Sequence, residues 1–317
     1  MKSISIYIVL FCFLISSNIY SQQNDEIRFN FDNQYLRNPA AVSIWNQTEI
    51  GLYYQNNFTA ISNAPSNMFA GVQYAIPNQN VGVGLAIYNE SAGIISNTTI
   101  NLSSAYKILD ILKKGDYLSG GINLSFTRIG INGDKIRANN LFDPLIASGF
   151  ENAMSTNIGF GFYYNTLRVL DSRRPKPSFQ FGFSGIKALP QNVNLESLSY
   201  KEQFYMNALV GNIIPLADEL SLRSLLEFQY EGKNLVNGLV STQLIIQKQI
   251  SLGVSFDKFN TLGFQLGYIL QNLFGDDTEL ALSANGNLPL GEIDNYINSG
   301  IAFGIQYRFN GNSFSKF

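Results

Sequence analysis

The sequence contains no histidine and only one cysteine, Cys12. Cys12 lies in an apolar segment at the N-terminus, and cleavage of that segment would leave an exported chain without a thiol. Without histidine and a mature cysteine, the chain has no Ser-His or Cys-His nucleophile pair and no histidine-based metal site. It also has no disulfide, so something other than cross-links must stabilise the mature protein.

Charged residues are scarce as well. They make up 14% of the 317 residues, well under the roughly 25% that is usual in soluble proteins. The net charge of -2 gives no electrostatic footprint for nucleic acid, so we expect no nucleic-acid partner. After the N-terminus, the sequence has no run of roughly 18 apolar residues, so it predicts no transmembrane helix.

Residues 1–21 have the three parts of a secretion signal. Lys2 supplies the positive start, an uninterrupted apolar run extends from Ile6 to Ile15, and Ser21 is a small residue before the expected cleavage site. The run is too short to cross a hydrocarbon core of about 30 Å as a helix. We therefore expect an exported protein, which is either a secreted β-protein or a transmembrane β-barrel.

Period-two alternation dominates the rest of the chain. Apolar residues take the odd positions of the stretch from Ile301 to Phe309, while Ala302, Gly304 and Gln306 take even ones. The same scheme recurs at 262–270, 122–127 and 250–256. These patterns predict strands with one apolar face and one face of small or polar residues.

The small and polar face favours a membrane barrel. A soluble sandwich usually places many charges on its outer face, whereas the second face here is mostly Gly, Ser, Asn, Gln and Thr. That composition fits the polar lumen of a barrel whose apolar face meets lipid. A secreted sandwich or propeller remains the alternative at this stage.

Fourteen segments carry a strand pattern. They lie near 48–56, 66–76, 80–90, 96–107, 116–128, 154–165, 177–187, 202–212, 219–230, 237–247, 249–257, 260–271, 278–287 and 299–310. Many approach the ~9–11 residues that a tilted strand needs to cross a bilayer, and an even count is typical of single-chain bacterial barrels. The predicted fold class is therefore all-β, a transmembrane antiparallel β-barrel of about 14 strands.

The predicted organisation is one domain after the signal. We expect a signal peptide at 1–21, an N-terminal segment with an Asn-Pro-Ala turn at 22–47, a barrel at 48–310 and a short tail at 311–317. The stretch 129–153 is rich in Gly, Asn and Asp and predicts a long surface loop on the extracellular side.

Aromatic residues and glycine pairs have two interpretations each. Aromatics near strand ends predict an interfacial girdle, although strand propensity also explains them: Tyr53, Tyr54, Tyr163, Tyr164, Tyr230, Tyr307 and Phe309. Glycine pairs such as Gly82/Gly84 and Gly159/Gly161 lie inside alternating strands, so they are not phosphate loops. We expect them to let strands bend or to leave room in the lumen.

Two charged clusters are weak candidates for ligand sites. The carboxylates of Asp276, Asp277 and Glu279 are of the type that binds a hard cation, but they lack the spacing of a calcium loop. Basic residues at 173–176 could meet lipid phosphates, yet Pro175 and Pro177 indicate a polar turn. The sequence thus predicts a protein that is not an enzyme, with no catalytic, cofactor-binding or metal residues.

The stretch before the first strand resembles the N-terminal motif of the PorP/SprF family of Bacteroidetes outer-membrane proteins. In that family a Tyr precedes Asn-Pro-Ala at the mature start, and here Tyr35, Asn38, Pro39 and Ala40 take those places. The Tyr and Gly that often follow in the family are replaced by residues 41–43.

Further motifs match the family in the same order. They are Phe58 with Ala64-Pro65, the run "NVGVGLAIYNESAG" (Asn80, Gly82, Gly84, Asn89, Gly93), "FDPLI" (Asp143, Pro144), "NIGFGFYYNT" and "GIQYRF". The resemblance covers nearly the whole mature chain.

The resemblance implies a non-enzymatic outer-membrane accessory protein of type IX secretion. Its implied role is to support the secretion or surface anchoring of a large adhesin with a type IX C-terminal domain, with outer-membrane lipid and other secretion components as further partners. It implies no cofactor. Two alternatives stay open: an outer-membrane diffusion channel or hydrophobic-solute transporter, and a soluble secreted β-protein that binds surface glycans.

Overall fold

The computed structural model describes residues 33–57, 64–132, 150–166, 177–195, 199–232, 234–257, 261–273, 275, 278–290 and 300–309. The expected signal peptide, the basic residues 173–176, Asp143 and Pro144, and the acidic pair Asp276 and Asp277 lie outside these residues. Among the helices in the described ranges, none is long and apolar enough to span a bilayer.

Strands account for most of the described chain. The elements are two 3-10 helices, Gln34–Leu36 and Pro39–Ala41, and sixteen strands: β1 (Thr48–Asn56), β2 (Ser66–Ala75), β3 (Val81–Ala92), β4 (Ile95–Leu109), β5 (Tyr117–Asn132), β6 (Phe150–Asn165), β7 (Ser178–Gly185), β8 (Asn192–Asn194), β9 (Ser199–Lys201), β10 (Tyr205–Ala217), β11 (Leu220–Glu231), β12 (Asn234–Ile246), β13 (Ile250–Asp257), β14 (Thr261–Gln271), β15 (Glu279–Pro289) and β16 (Gly300–Phe309).

Fourteen of these strands close into an antiparallel barrel, as the sequence predicted. Each barrel strand pairs with its neighbour in the chain, except that β7 pairs with β10 across the separate β8–β9 hairpin. Pairing of β1 with β16 closes the ring, from Thr48 opposite Phe309 to Asn56 opposite Ile301. Closure pairs the first strand with the last, so neither is left as a free edge, as a membrane-spanning sheet requires.

The two faces of the barrel have the predicted chemistry. Outward side chains are large and apolar, and Leu52 and Phe303 are 49% and 54% exposed. Inward side chains such as Gln55 and Asn207 are polar and buried. Because successive strand residues point to opposite faces, the alternation places the apolar side chains toward lipid and the polar ones in the lumen.

The barrel has two ends, which we name by their connections. At the terminal end, β1 begins, β16 ends and short turns such as 218–219 and 247–249 join the strands. At the loop end lie the connections 133–149 and 186–204, the latter holding the β8–β9 hairpin.

The predicted boundaries of the long loop are wrong. The sequence predicted a loop over 129–153, but β5 continues to Asn132 and β6 begins at Phe150, and these two residues pair. The extra strand residues include inward-facing Ile129 and Ile131, which are buried against the β8–β9 region. This long-range packing stabilises strand structure in a stretch whose composition indicates a loop. Residues 133–149 lie outside the described ranges.

The predicted aromatic girdle is wrong for Tyr53 and Tyr163. Both side chains point into the lumen, where they are 4% and 0% exposed. Tyr54 and Tyr230 do point outward. Successive residues on a strand point to opposite faces. Within each of the pairs Tyr53/Tyr54 and Tyr163/Tyr164, only one tyrosine can therefore lie in a girdle on the outer face.

Candidate functional site

The lumen of the barrel is occupied by the chain's own N-terminal segment. Residues 33–47, which we call the lumenal plug, consist of the two 3-10 helices and the turn that leads into β1. Most of the plug is buried, and Ala40, Ala41 and Val42 are the core of a cluster that includes Phe69, Leu209 and Leu225 of the barrel wall. The sequence predicted only a turn here, not its position inside the barrel.

Asn38 fixes the corner of the plug. Its backbone is extended (φ −140°, ψ 107°), as expected for a residue that precedes proline. Its side chain caps the second 3-10 helix by accepting a hydrogen bond from the Ala40 amide at 3.0 Å. The same side chain donates to the carbonyl of Phe162 at 2.9 Å. Asn38 therefore both shapes the turn and ties it to β6.

A row of small residues in the barrel wall forms the seat of the plug. Gly82, Ala105, Gly121, Gly161 and Ser184 are direct cross-strand partners in succession, from β3 to β7. All five positions face the lumen along one line across the strands. We call this set the small-residue row.

The plug backbone lies directly on this row. A Cβ atom at position 121 would lie 2.5 Å from the carbonyl carbon of Pro39 and 2.6 Å from the Cα of Ala40. At position 161 it would lie 3.0 Å from the Cγ of Asn38. Glycine here permits the close approach of two backbones, which any side chain would block. We expected lumenal glycines to leave room in the lumen. At Gly121 and Gly161 the plug occupies that room.

Barrel side chains satisfy polar groups of the plug backbone. The amide of Ser43 donates to Gln73 at 2.8 Å, and the ammonium of Lys107 donates to the Ser43 carbonyl and to Asn46 Oδ1 at 2.6 Å. The hydroxyl of Ser184 donates to the carbonyl of Arg37. A buried backbone without such partners would be destabilised, so these contacts select the position of the plug.

An ion pair joins the plug to the opposite wall. Arg37 Nη1 lies 3.0 Å from Glu227 Oε2 on β11, and the Glu227 side chain is only 2% exposed. Asn207 and Gln229 also donate to this carboxylate. In the ring of fourteen strands, β11 lies seven positions from β2, so a plug held at both strands crosses the full width of the lumen.

Aromatic packing holds the other side of the plug. The ring of Tyr35 packs edge-on against Phe69 at 6.1 Å between centroids. Phe69 in turn stacks on Tyr53 at 5.5 Å and packs against Tyr88 at 5.2 Å. Burial, followed by the charge of Glu49, raises the pKa of the Tyr35 hydroxyl well above its ordinary value, so this side chain stays neutral.

The connection 186–204 folds into the loop end of the lumen. Val193 and Leu195 are buried against Ile129 and Ile131. In the same region the carboxylate of Glu202 accepts hydrogen bonds from lumen-facing residues of β6, Ser155 at 2.7 Å and Asn157 at 2.6 Å. The barrel is thus filled by its own chain at two levels, by the plug and by this connection.

Of the two charged clusters predicted from the sequence, only Glu279 lies in the described residues. Glu279 lies 3.8 Å from Arg308, which also pairs with Glu49 at 2.9 Å. This network joins β1, β15 and β16 at the closure of the ring. Among the residues described, no group of three or more His, Cys, Asp or Glu is placed to hold a metal.

Sequence reasoning missed the plug and its seat. The signals were present separately, as the Asn-Pro-Ala turn and as lumenal glycines on consecutive strands. Only the strand register shows that Gly82, Gly121 and Gly161 lie on one line across the strands, and register cannot be read from alternation alone.

Solved structures of other barrels resemble this fold. A Pseudomonas aeruginosa FadL homologue aligns with a TM-score of 0.50 and 10% identity, over 86% of this chain and 92% of that chain. The Pseudomonas putida toluene transporter TodX gives 0.50 and 8%, over 88% and 94%. A TodX deltaS2S3 mutant, titled a monoaromatic hydrocarbon channel, gives 0.51 and 8%, over 89% and 95%. At such identities the likeness shows the fold alone.

Among curated proteins, no sequence matches this chain. A family profile does match. Residues 19–309 fit the profile described as "Type IX secretion system membrane protein PorP/SprF", which confirms the resemblance seen in the sequence.

Proposed function

We propose a function for this chain from the premise that it belongs to the PorP/SprF family of type IX secretion system membrane proteins. The protein is a β-barrel of the outer membrane. In our proposal it is a non-enzymatic accessory component that supports the secretion or surface anchoring of a large adhesin carrying a type IX C-terminal domain. Other secretion components are its further partners.

The occupied lumen is the observation that supports this role best. The plug contacts the wall from β2 to β11 and buries Ala40, Ala41 and Val42. A barrel filled in this way is suited to be a rigid membrane-embedded frame rather than a conduit. Its partner-binding surfaces then lie outside the lumen.

The loop end is the proposed partner-binding end. In outer-membrane barrels the short turns are periplasmic and the longer loops extracellular, which assigns the loop end to the cell exterior. The strands β4, β5 and β6 have 15, 16 and 16 residues, beyond the ~9–11 needed to cross a bilayer. They therefore extend past the membrane at this end as a projecting wall.

Polar side chains are present on the outer face of the projecting wall, beside the exposed Met154. On β5, outward Phe126 is followed by outward Arg128, which is exposed and donates from Nε to Asn152 Oδ1 at 2.9 Å. On β3 and β4, Asn89 donates to Thr98 at 3.1 Å across the same face. The change from apolar to hydrogen-bonding side chains marks the membrane boundary, and the residues beyond it are available to a protein partner.

We keep the predicted organisation of the chain as part of the proposal. Residues 1–21 are removed as a signal peptide, 22–47 include the plug, 48–310 form the barrel and 311–317 are a short tail. Mass spectrometry of the protein from outer membranes tests the first boundary. A mature N-terminus at residue 22 is the expected result, and retention of residues 1–21 would contradict it.

The test of function is display of the adhesin on cells that lack this protein. Antibody labelling of intact cells should fall to background, and return on complementation. Arg128→Glu should reduce labelling because it reverses a charge on the projecting wall, while Lys113→Glu at the terminal end is the matched control and should complement fully. Unchanged display without the protein would refute the proposal.

A diffusion channel or hydrophobic-solute transporter is the second candidate. It is suggested by the fold likeness to TodX, which is titled a toluene transporter. Lumen-facing residues of β12 and β13 such as Ser241, Gln243 and Ser251 are polar, as the lumen of a channel requires, but they are buried in this structure. Conductance of the full-length barrel in planar bilayers distinguishes the two candidates.

A further inference from the structure

The outer wall of the barrel carries an apolar depression that faces the bilayer. It has a volume of about 650 Å³ and extends across the outward face from β11 to β16. Its floor lies on β15, where the outward residues are Ala284 and Gly286 instead of the large apolar residues found at most outward positions.

Strand register explains the shape of the depression. Gly286 is directly opposite Phe264 on one side and Ile301 on the other, and Ala284 is opposite Leu266 and Phe303. Each small residue is thus flanked by two large ones. Adjacent strands are about 4.8 Å apart, so the flanking backbones are separated by roughly 10 Å.

Large side chains bound the depression at both ends along β15. The outward residues on either side of its floor are Leu282 and Leu288, which are 41% and 45% exposed. A Cβ atom at position 286 would have no neighbour within 4 Å, so the floor is open toward the membrane. The floor on β15 is therefore lower than the wall on either side of it, where Leu282 and Leu288 stand.

The chemistry of the lining favours an alkyl chain. Thr242 is the one lining residue whose polar side chain faces outward, since Gln265 and Asn285 alternate with outward neighbours and direct their side chains to the lumen. A ligand with a polar group would find few partners here, at a cost in free energy. Volumes of 300–1,000 Å³ with mainly apolar linings are typical of specific small-molecule sites.

Continuity with the lipid-facing surface identifies the source of that chain. The large apolar lining residues belong to the same outward face that contacts the bilayer, so the depression adjoins lipid acyl chains. Strands are tilted by roughly 45° in such barrels, so a path across them is inclined to the membrane plane, as a lipid chain can be. A second barrel is convex on this scale and would not enter a depression this narrow.

We propose that this depression is a specific site for one acyl chain of an outer-membrane phospholipid. The bound chain completes the packing between Phe264, Leu266, Ile301 and Phe303. The lipid is then held more firmly than the lipids that surround the rest of the barrel. This site is independent of the partner-binding surface proposed above.

The test is lipid retention by the full-length protein. The barrel is reconstituted in vesicles of palmitoyl-oleoyl phosphatidylethanolamine and extracted with detergent, and bound phospholipid is counted by native mass spectrometry. Wild type should keep one phospholipid when the others are stripped. Gly286→Leu and Ala284→Leu fill the floor, and each should reduce that species by about tenfold.

Gly120→Leu is the matched control. Gly120 also faces outward with no neighbour within 4 Å of its Cβ position, but it lies on β5, away from the depression. This variant should retain lipid like wild type. Replacing the ethanolamine headgroup with glycerol should change nothing, because the site binds the chain. Four results would each overturn the proposal. They are retention by Gly286→Leu and Ala284→Leu equal to wild type, no retained lipid in wild type, retention that depends on the headgroup, and a protein dimer in place of the lipid-bound species.

Discussion

At the residue scale, the account depends on close approach between the plug and the small-residue row. Gly121 and Gly161 face Pro39 and Asn38 at distances that leave no room for a side chain. Glycines in barrel strands are usually explained by bending of the sheet. Here the plug residues that lie against Gly121 and Gly161 explain their positions.

Replacing Gly121 tests this contact. Gly121→Ala places a methyl group 2.5 Å from the Pro39 carbonyl carbon, so the plug or the strand must move, and we expect a loss of about 1–3 kcal/mol in unfolding free energy. The chain has one cysteine, at position 12, so Ser43→Cys is a clean probe. Maleimide labelling at position 43 should accelerate by about tenfold in the Gly121→Ala background.

Gly120→Ala is the control for this experiment, because its side chain would point to lipid with free space around it. It should leave both the unfolding free energy and the labelling of position 43 unchanged. A Gly121→Ala protein that behaves like Gly120→Ala would refute the position of the plug.

The ion pair between Arg37 and Glu227 provides a second residue-scale prediction. Arg37→Met leaves a buried carboxylate without its cation and should cost about 3–5 kcal/mol in urea-induced unfolding. The double variant with Glu227→Gln should recover much of this loss, because no unpaired charge then remains. Additive effects of the two substitutions would show that the side chains do not interact.

The turn before β5 gives a pH-dependent prediction. Burial acts to raise the pKa of Asp116, but hydrogen bonds from Tyr164 and from the amides of Lys113, Leu112 and Ile111 act more strongly and lower it below its ordinary value. A lowered folded-state pKa stabilises the turn above the ordinary carboxylate pKa. This stabilisation is lost as the pH falls through the folded-state value.

Hydrogen exchange of the Leu112 and Lys113 amides measures this effect, since both donate to Asp116 Oδ2, at 3.0 and 2.8 Å. At neutral pH, Asp116→Asn should exchange faster than wild type at these two amides. The difference should disappear once the wild-type carboxylate is protonated. A difference that persists at low pH would contradict the role of the charge.

At the element scale, the sequence predicted the barrel strands well and the lumenal elements poorly. Strands such as β14 and β16 show period-two alternation over their whole length because one face meets lipid and the other the lumen. The strands β8 and β9 have three residues each, too few to show a period. Their position depends on the contact of Val193 with Ile129, which is remote in sequence.

Substitution of Val193 tests whether the 186–204 connection is an independent element. Val193 is 1% exposed, and Val193→Asp would bury an unpaired charge, which is strongly unfavourable. We expect the connection to leave the lumen and become sensitive to protease, with cleavage only between residues 186 and 204. Asn89→Asp on the exposed outer face of β3, away from the connection, is the control and should remain resistant.

The ladder of β7 with β10 should be insensitive to this change, since it does not include the hairpin, whereas the loop ends of β5 and β6, which pack against the hairpin, should open locally. The Val193→Asp protein should therefore keep the global unfolding free energy of wild type within about 1 kcal/mol. Global unfolding would show instead that the connection is part of the barrel's stability.

At the scale of the whole molecule, the fold likeness and the family match relate this chain to different groups of proteins. The fold is shared with a FadL homologue and with TodX, whereas the sequence places the chain in a type IX secretion family. In our proposal the lumenal plug makes the two compatible, because a barrel of this fold can act as a frame when its own N-terminal segment fills it. The sequence indicates the family through the Asn-Pro-Ala motif, and the structure shows that this motif is the corner of the plug.

The central claim is that the full-length barrel is closed by its own chain, and ion conductance in planar bilayers tests it most directly. The wild-type protein, inserted at single-molecule level, should show no stable open-pore current. Gly121→Ala should show intermittent openings, since it weakens the seat of the plug. A steady open-pore current through wild type, equal to that of Gly121→Ala, would contradict the claim and favour a diffusion channel.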